Sequence, residues 1–214
     1  MSPITDLSAP PPLGVGPSPR RKGLLADRPF IQVRFGGTGE QGVVLAGVVL
    51  AMAATHDHRY VVQTQTYGLG ARGGYGYSDV IISDTPIDYP ELQTADLLVA
   101  LSQDAADGYS DLLTPTSILI YDSEEVTSPP AFAGTIFGIP FSRVAFEAVG
   151  DLDTAPNVLT LGAVVGITGV VSEESLEKAI VATIPPGTRE ANGTVLRLGL
   201  ALDAAAWRRR SACL

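Results

Sequence analysis

The chain has 214 residues, 45% apolar and 17% charged, with a formal net charge of −9 at pH 7. That length suits one α/β domain with a full core, and the acidic balance speaks against nucleic acid, an anionic membrane surface or an acidic electron carrier as partner, since each calls for basic patches. The one cysteine, Cys213, stands beside the C-terminus. It excludes an internal disulfide, a structural zinc site and an iron–sulfur cluster ligated by this chain alone, and points to a reducing, cytoplasmic compartment.

Residues Met1 to Arg28 are rich in Pro, Ser and Gly, with a basic knot at Arg20, Arg21 and Lys22. Pro10, Pro11 and Pro12 favour extended geometry and forbid a helix. The segment reads as a flexible extension (1–28), either a disordered tail or an arm that orders against a partner, ahead of a single module at 29–214. It has no apolar core of a signal peptide, and no run in the chain is long enough to span a membrane.

Phe30 to Leu50 carries the main organising motif. Phe30–Phe35 predicts a buried strand, Gly36–Gly42 a turn, and the next stretch a helix running into Ala53. The turn spells G-x-G-x-x-G across Gly37, Gly39 and Gly42. Glycines serve where backbone takes positive φ or approaches a ligand or helix closely, and the helix N-terminus offers free N–H groups to an anion. This is the first βα unit of an α/β fold, and the spacing predicts a three-layer Rossmann-like domain with a mainly parallel sheet.

Thr55–Arg59 holds both histidines, His56 and His58, and reads as a solvated loop. Tyr60–Thr66 is the second strand. It ends Gln63, Thr64, Gln65, Thr66, where an NAD-binding protein places an acid to hold the ribose hydroxyls. A second glycine loop comes next, with Tyr67, Gly68, Gly70, Arg72, Gly73 and Gly74. Tyr75–Ser83 predicts a third strand and Asp84–Pro90 a turn. Asp96–Leu101 and Ser117–Asp122 are continuous apolar runs of central parallel strands, with Ser102 capping a helix through Tyr109 between them. Thr135–Ile139 adds a strand, leading through Pro140 into a helix at Phe141–Val149.

Asn157–Thr168 is apolar nearly all round, with Gly162, Ala163 and Gly166 on one helix face. That face packs on the home sheet or against another subunit. Ser172 N-caps a helix to Thr183, with Glu173 and Glu174 favourable to its dipole. Pro185, Pro186 and Gly187 break the chain. A last helix, Arg189 to Arg209, ends in arginines suited to a helix C-terminus.

The loops after the strands collect Gly37 to Gly42, Thr66 to Gly74, Ser102 with Gln103, and Asp122 with Ser123. In an open α/β sheet these share the carboxyl edge, where ligands bind. The edge carries no Ser–His–Asp set and no G-K-[ST]. Two glycine loops, one with Arg72, suit a phosphate or a thioester-bearing cofactor. The sparse charge of the chain fits burial against partner subunits, and fits equally an Ala- and Gly-rich composition.

GTGEQGVVLAG, YGLGARGG, SDVIISDTPIDYP and DLLVALSQDA, in that order, together with IPFSRVA, LGAVVGITGVVS and IPPGTREAN, resemble the gamma subunit of 2-oxoacid:ferredoxin oxidoreductases over roughly Phe30 to Leu200. IDYP and ALSQDA are most similar to 2-oxoglutarate-type gamma subunits. The resemblance implies oxidative decarboxylation of a 2-oxoacid, 2-oxoglutarate first and pyruvate or an aromatic 2-oxoacid as alternatives, to its acyl-coenzyme A. Electrons leave through 4Fe–4S clusters to ferredoxin or NAD. It implies alpha, beta and ferredoxin-like delta partner subunits, with thiamine diphosphate and Mg2+ held outside this chain, no catalytic residue within it, and coenzyme A entering beside it. Gly37, Gly39, Gln41, Gly42, Tyr67, Gly68, Arg72 and Gly73 are then the candidate cofactor-binding residues. One departure stands out: the family usually has Gly-Gly-Gln-Gly where this chain has Gly39-Glu40-Gln41-Gly42, and a carboxylate at 40 repels a phosphate if it points inward. A free-standing nucleotide-binding Rossmann protein and an interaction module without ligand are the competing classes.

Overall fold

The computed structural model describes residues 22–66, 75–150 and 156–209, apart from the side chains of Glu40 and Pro186. Strands β1 (Phe30–Gly37), β2 (Tyr60–Thr66), β3 (Gly76–Ser83), β4 (Ala95–Ala100), β5 (Leu113–Asp122), β6 (Thr135–Ile139) and β7 (Arg208–Arg209) form one sheet in the order β2-β3-β1-β4-β5-β6-β7. β1, β4, β5 and β6 run parallel. β3 is antiparallel to both β1 and β2, so β2 points the same way as β1 although one strand lies between them. β7 closes the far edge antiparallel to β6.

The side chains divide between the two faces with the period of a pleated strand. Ile31, Val33, Phe35, Val80, Ile82, Leu97, Val99, Ile118, Ile120, Phe137 and Ile139 point into the larger core. This core lies beneath α1 (Val43–His56), α3 (Phe141–Val149), α4 (Pro156–Thr168), α5 (Glu173–Thr183) and α6 (Arg189–Leu200). Leu98, Ala100, Leu119, Tyr121 and Ile136 point the other way, into a smaller core under the single short helix α2 (Gln103–Gly108). The layers are therefore unequal.

Helix α4 is buried along its length from Val158 to Val165. Its small residues face α6 rather than the sheet or another subunit. A Cβ at Gly162 would lie 2.6 Å from the carbonyl oxygen of Leu196, one at Gly166 2.5 Å from that of Leu200, and one at Gly199 2.5 Å from that of Leu159. Glycines on both helices thus set the α4–α6 approach within the chain.

Asp57, between the two histidines, ties α1 to α5. It is fully buried, and its carboxylate accepts from the Ser172 backbone N–H (2.7 Å) and hydroxyl (2.6 Å). The same hydroxyl accepts from Ser175 N, so the N-cap of α5 is itself held by an acid at the end of α1. His56 and His58 are exposed as expected, but His56 is the last residue of α1 and does not lie in a loop.

The C-terminal reading needs correction. The last helix stops at Leu200, not Arg209. Asp203 caps a new short helix, α7 (Ala204–Trp207), by accepting from Ala205 N. Arg208 and Arg209 form a strand on β6, with Arg208 also the C-cap of α7, so their charge follows that short helix and not a long one; Arg210 lies outside the described residues. At the other end, Lys22–Arg28 pack onto the main body rather than standing apart from it. Leu24 and Leu25 donate backbone N–H groups to Ile167 and Thr168, and Leu25 is 1% exposed. Gly23 (φ +146) and Gly169 (φ +62) pass too closely for any side chain. Smaller shifts occur elsewhere: β1 extends through Gly37, α1 through His56, and β5 begins at Leu113 rather than Ser117.

Candidate functional site

The carboxyl edge is built from the ends of β1, β2, β4, β5 and β6. Gly37 pairs with Gly76 and Thr66 with Tyr77. The connection that carries the second glycine loop therefore leaves and re-enters the sheet beside the first glycine turn. Tyr67, Gly68, Arg72 and Gly73 themselves lie outside the described residues.

The first turn is held from within. Gln41 Oε1 accepts from Thr38 N at 2.8 Å, and Gln41 Nε2 donates to the Leu101 carbonyl at 2.5 Å. This amide braces the loop after β1 against the loop after β4, across the point where the strand order reverses and where doubly wound proteins bind ligands. Gly37 makes room for the brace, since a Cβ there would meet Gln41 Oε1 at 2.5 Å, while Gly42, at φ +69, makes room for the Asn157 amide, which a Cβ would meet at 2.6 Å. Gly39 differs. A Cβ there would have nothing within 4 Å, so no contact inside the described chain requires glycine at that position.

Below the edge, on the sparsely covered face, lies a cluster that sequence reasoning missed. Arg34 on β1 and Asp79 on β3 are register partners. They form a bidentate pair with Nε–Oδ1 and Nη2–Oδ2 both at 2.6 Å. The guanidinium lies 3.9 Å from the Tyr77 ring centre and 4.6 Å from that of Tyr109, a geometry in which ring quadrupoles attract the cation. Tyr109 meets Tyr75 and Tyr77 edge-on at 5.3 and 5.8 Å. Burial pushes the Tyr109 hydroxyl up to about 12, with Arg34 partly opposing, so it stays protonated across the physiological range. Gly36 and Gly108 leave space for the rings of Tyr109 and Tyr75. The cluster fixes Tyr75, the first described residue after the second glycine loop. The signal was present in the sequence: opposite charges, Arg34 and Asp79, sit in the middle of two β-rich runs, and buried charges require partners.

At the end of β5, Asp122 is 4% exposed, and burial pushes its carboxyl up to about 6 against the pull of the Glu124 backbone N–H. Among the described residues no group of three His, Cys, Asp or Glu is placed to hold a metal. Chemically the edge offers backbone, amides and hydroxyls, which suits holding a ligand.

Comparison with known proteins agrees with this geometry. Residues 32–202 match the family of pyruvate ferredoxin/flavodoxin oxidoreductases. The 2-oxoglutarate synthase subunit KorC of Methanocaldococcus jannaschii is 43% identical over 164 residues, covering 75% of this chain and 87% of that one. The pyruvate synthase subunit PorC of Methanothermobacter marburgensis is 32% identical over 173 residues, covering 79% and 95%. The crystal structure of a keto/oxoacid ferredoxin oxidoreductase gamma subunit from Geobacter sulfurreducens superposes with a TM-score of 0.75 at 38% identity, covering 84% of this chain and 99% of that one. With its motifs, its mixed sheet and its braced glycine turn, the chain belongs to the pyruvate ferredoxin/flavodoxin oxidoreductase family, as a gamma subunit of the 2-oxoacid:ferredoxin oxidoreductases.

Proposed function

We propose that this gamma subunit works in a complex that oxidatively decarboxylates 2-oxoglutarate to its acyl-coenzyme A, and that its carboxyl edge forms the coenzyme A side of the active site. The observation that carries the substrate is the 43% identity to a 2-oxoglutarate synthase subunit, against 32% to the pyruvate synthase subunit. Coenzyme A is supported by the two glycine-rich stretches that follow β1 and β2 in the sequence, by the sterically unexplained Gly39, and by Arg72, whose guanidinium can fork onto phosphate or carboxylate. In this reading thiamine diphosphate with Mg2+ and the 4Fe–4S clusters belong to alpha, beta and ferredoxin-like delta partners. The chain itself supplies no acid, base or nucleophile. Gln41 braces the first glycine turn, and the Arg34–Asp79 cluster holds Tyr75 at the entry to β3.

The test is made on the assembled complex. Arg72→Ala raises KM for coenzyme A by about 10–100-fold, the range of a charge-assisted contact worth ~1.5–3 kcal/mol, and 2-oxoglutarate turns over in preference to pyruvate. Normal assembly with normal coenzyme A kinetics removes the loop from the site. A preference for pyruvate removes the substrate assignment.

A further inference from the structure

Away from the carboxyl edge, α5 and α6 enclose an open groove of about 270 Å³. Its floor is Ile180, Ile184 and Leu196, and Val181, 53% exposed, stands on its lip. Three polar features make it more than an apolar dent. Asn192, 4% exposed, lines the groove; its Nδ2 donates to the Thr188 carbonyl, while its Oδ1 is buried without a hydrogen-bond partner. A buried acceptor left unpaired has lost its water and gained nothing in return. Arg189 and Arg197 stand on the α6 wall, and among the described residues neither has a carboxylate within ion-pair distance. Glu177 stands on the α5 wall and gives the slot a charge polarity. In a chain of net charge −9, two arginines against one glutamate around an apolar trough make a locally basic site that favours an acidic partner.

We propose that this groove is a docking slot for an extended segment of a partner subunit, one that presents an aliphatic side chain to the trough and a carboxylate to Arg189 and Arg197. Both requirements fit one short peptide in extended form, whose alternate side chains point in and out. A second copy of this chain, docked groove to groove, does not meet them, because the same two helices would face each other and neither copy would present an extended segment.

The inference rests on the chain's working in a multi-subunit complex. Hydrogen exchange is compared between the free chain and the purified complex. Amides of Glu177–Ile184 and Arg189–Arg197 slow by about 10-fold or more on assembly, as expected where a helix pair becomes covered. Val181→Glu and Arg197→Glu each weaken association by about 10–100-fold, Arg197→Lys by less, and all three leave the urea midpoint of the free chain unchanged because both side chains are exposed. A photo-crosslinker at Val181→Cys, placed in a Cys213→Ser background, reports the occupant. Capture of a partner-subunit segment containing Asp or Glu within two residues of an aliphatic residue supports the slot. Capture of a second copy, capture of a segment without an acid, or unchanged exchange on assembly overturns it. A complex with normal coenzyme A behaviour but an unprotected groove sinks this inference alone. A chain that enters no complex sinks it together with the proposed function.

Discussion

The α4–α6 contact allows one substitution to be tested with opposite outcomes at two sites on the same pair of helices. Replacing glycine by alanine in a helix interior favours the helix by about 1 kcal/mol through propensity. At Gly162 the new methyl would stand 2.6 Å from the Leu196 carbonyl oxygen, 3.0 Å from Gly199 Cα and 3.0 Å from Leu200 N. All three are backbone atoms and cannot rotate away. Relief requires α6 to retreat by roughly 0.8 Å, and a gap of that order forfeits a quarter to a half of the dispersion attraction along the contact. Overpacking of this kind costs about 1–3 kcal/mol. Because the opposing atoms are rigid backbone, the cost falls in the upper half of that range, about 2–3 kcal/mol, so the expected net effect of Gly162→Ala is a loss of about 1–2 kcal/mol, or a fall in Tm of roughly 2–4 °C per kcal/mol for a chain of this size. Gly193, on α6 itself, is the control. There the added carbon would meet only the mobile end of Arg197, at 3.6 Å, so Gly193→Ala gains up to about 1 kcal/mol. Urea unfolding measures both, with equal m-values confirming a change in stability alone. A Gly162→Ala variant as stable as the parent would refute the packing argument, whatever Gly193→Ala does.

Asp122 should make stability depend on pH. Its folded value, about 6 against an ordinary 3.8, means that the folded chain holds a proton the unfolded chain releases. The stabilising effect of the neutral carboxyl is complete below about pH 4 and is lost as pH rises through about 6. Asp122→Asn should therefore add about 2 kcal/mol at neutral pH, little near pH 4, and flatten the parent's slope between them; equal gains at both pH values would count against a buried, raised carboxyl. Asp57→Ala removes the acceptor of two hydrogen bonds from Ser172 in a buried site and should cost about 2–4 kcal/mol, seen as early loss of amide protection in the first turn of α5. An unchanged α5 would mean that Ser172 caps the helix unaided.

Much of the sheet was legible because buried strands announce themselves. FIQVRF, DLLVAL and SILIYD alternate or run apolar between turn residues, and each became a strand of the core. The helix caps at Ser102 and Ser172 were legible for the same local reason. Less legible was anything that joins distant parts. Asp57 looked like a loop acid between two histidines, since nothing local marks Ser172 as its partner. The small-residue face of α4 declared a close approach but not the identity of the neighbour, which arrives only with Leu196 to Leu200. The last helix was extended too far because Asp203 was not weighed as a new N-cap. At the edge, the glycine turn stands out in the sequence, yet the bracing role of Gln41 depends on Leu101, sixty residues away.

The Asp57–Ser172 tie also bears on how the chain is made. The two residues are separated by 115 positions, so at a synthesis rate of about 5–20 residues per second α1 emerges roughly 6–23 s before the residue that anchors its cover. From Val43 to Ala54 that helix carries no charged side chain and no side-chain donor. Until α5 leaves the ribosome, the nascent chain therefore presents an uncovered apolar helix to its surroundings, a natural client for a holding chaperone. Changes that slow translation between Asp57 and Ser172 should lower the yield of soluble protein without altering a single contact in the finished fold.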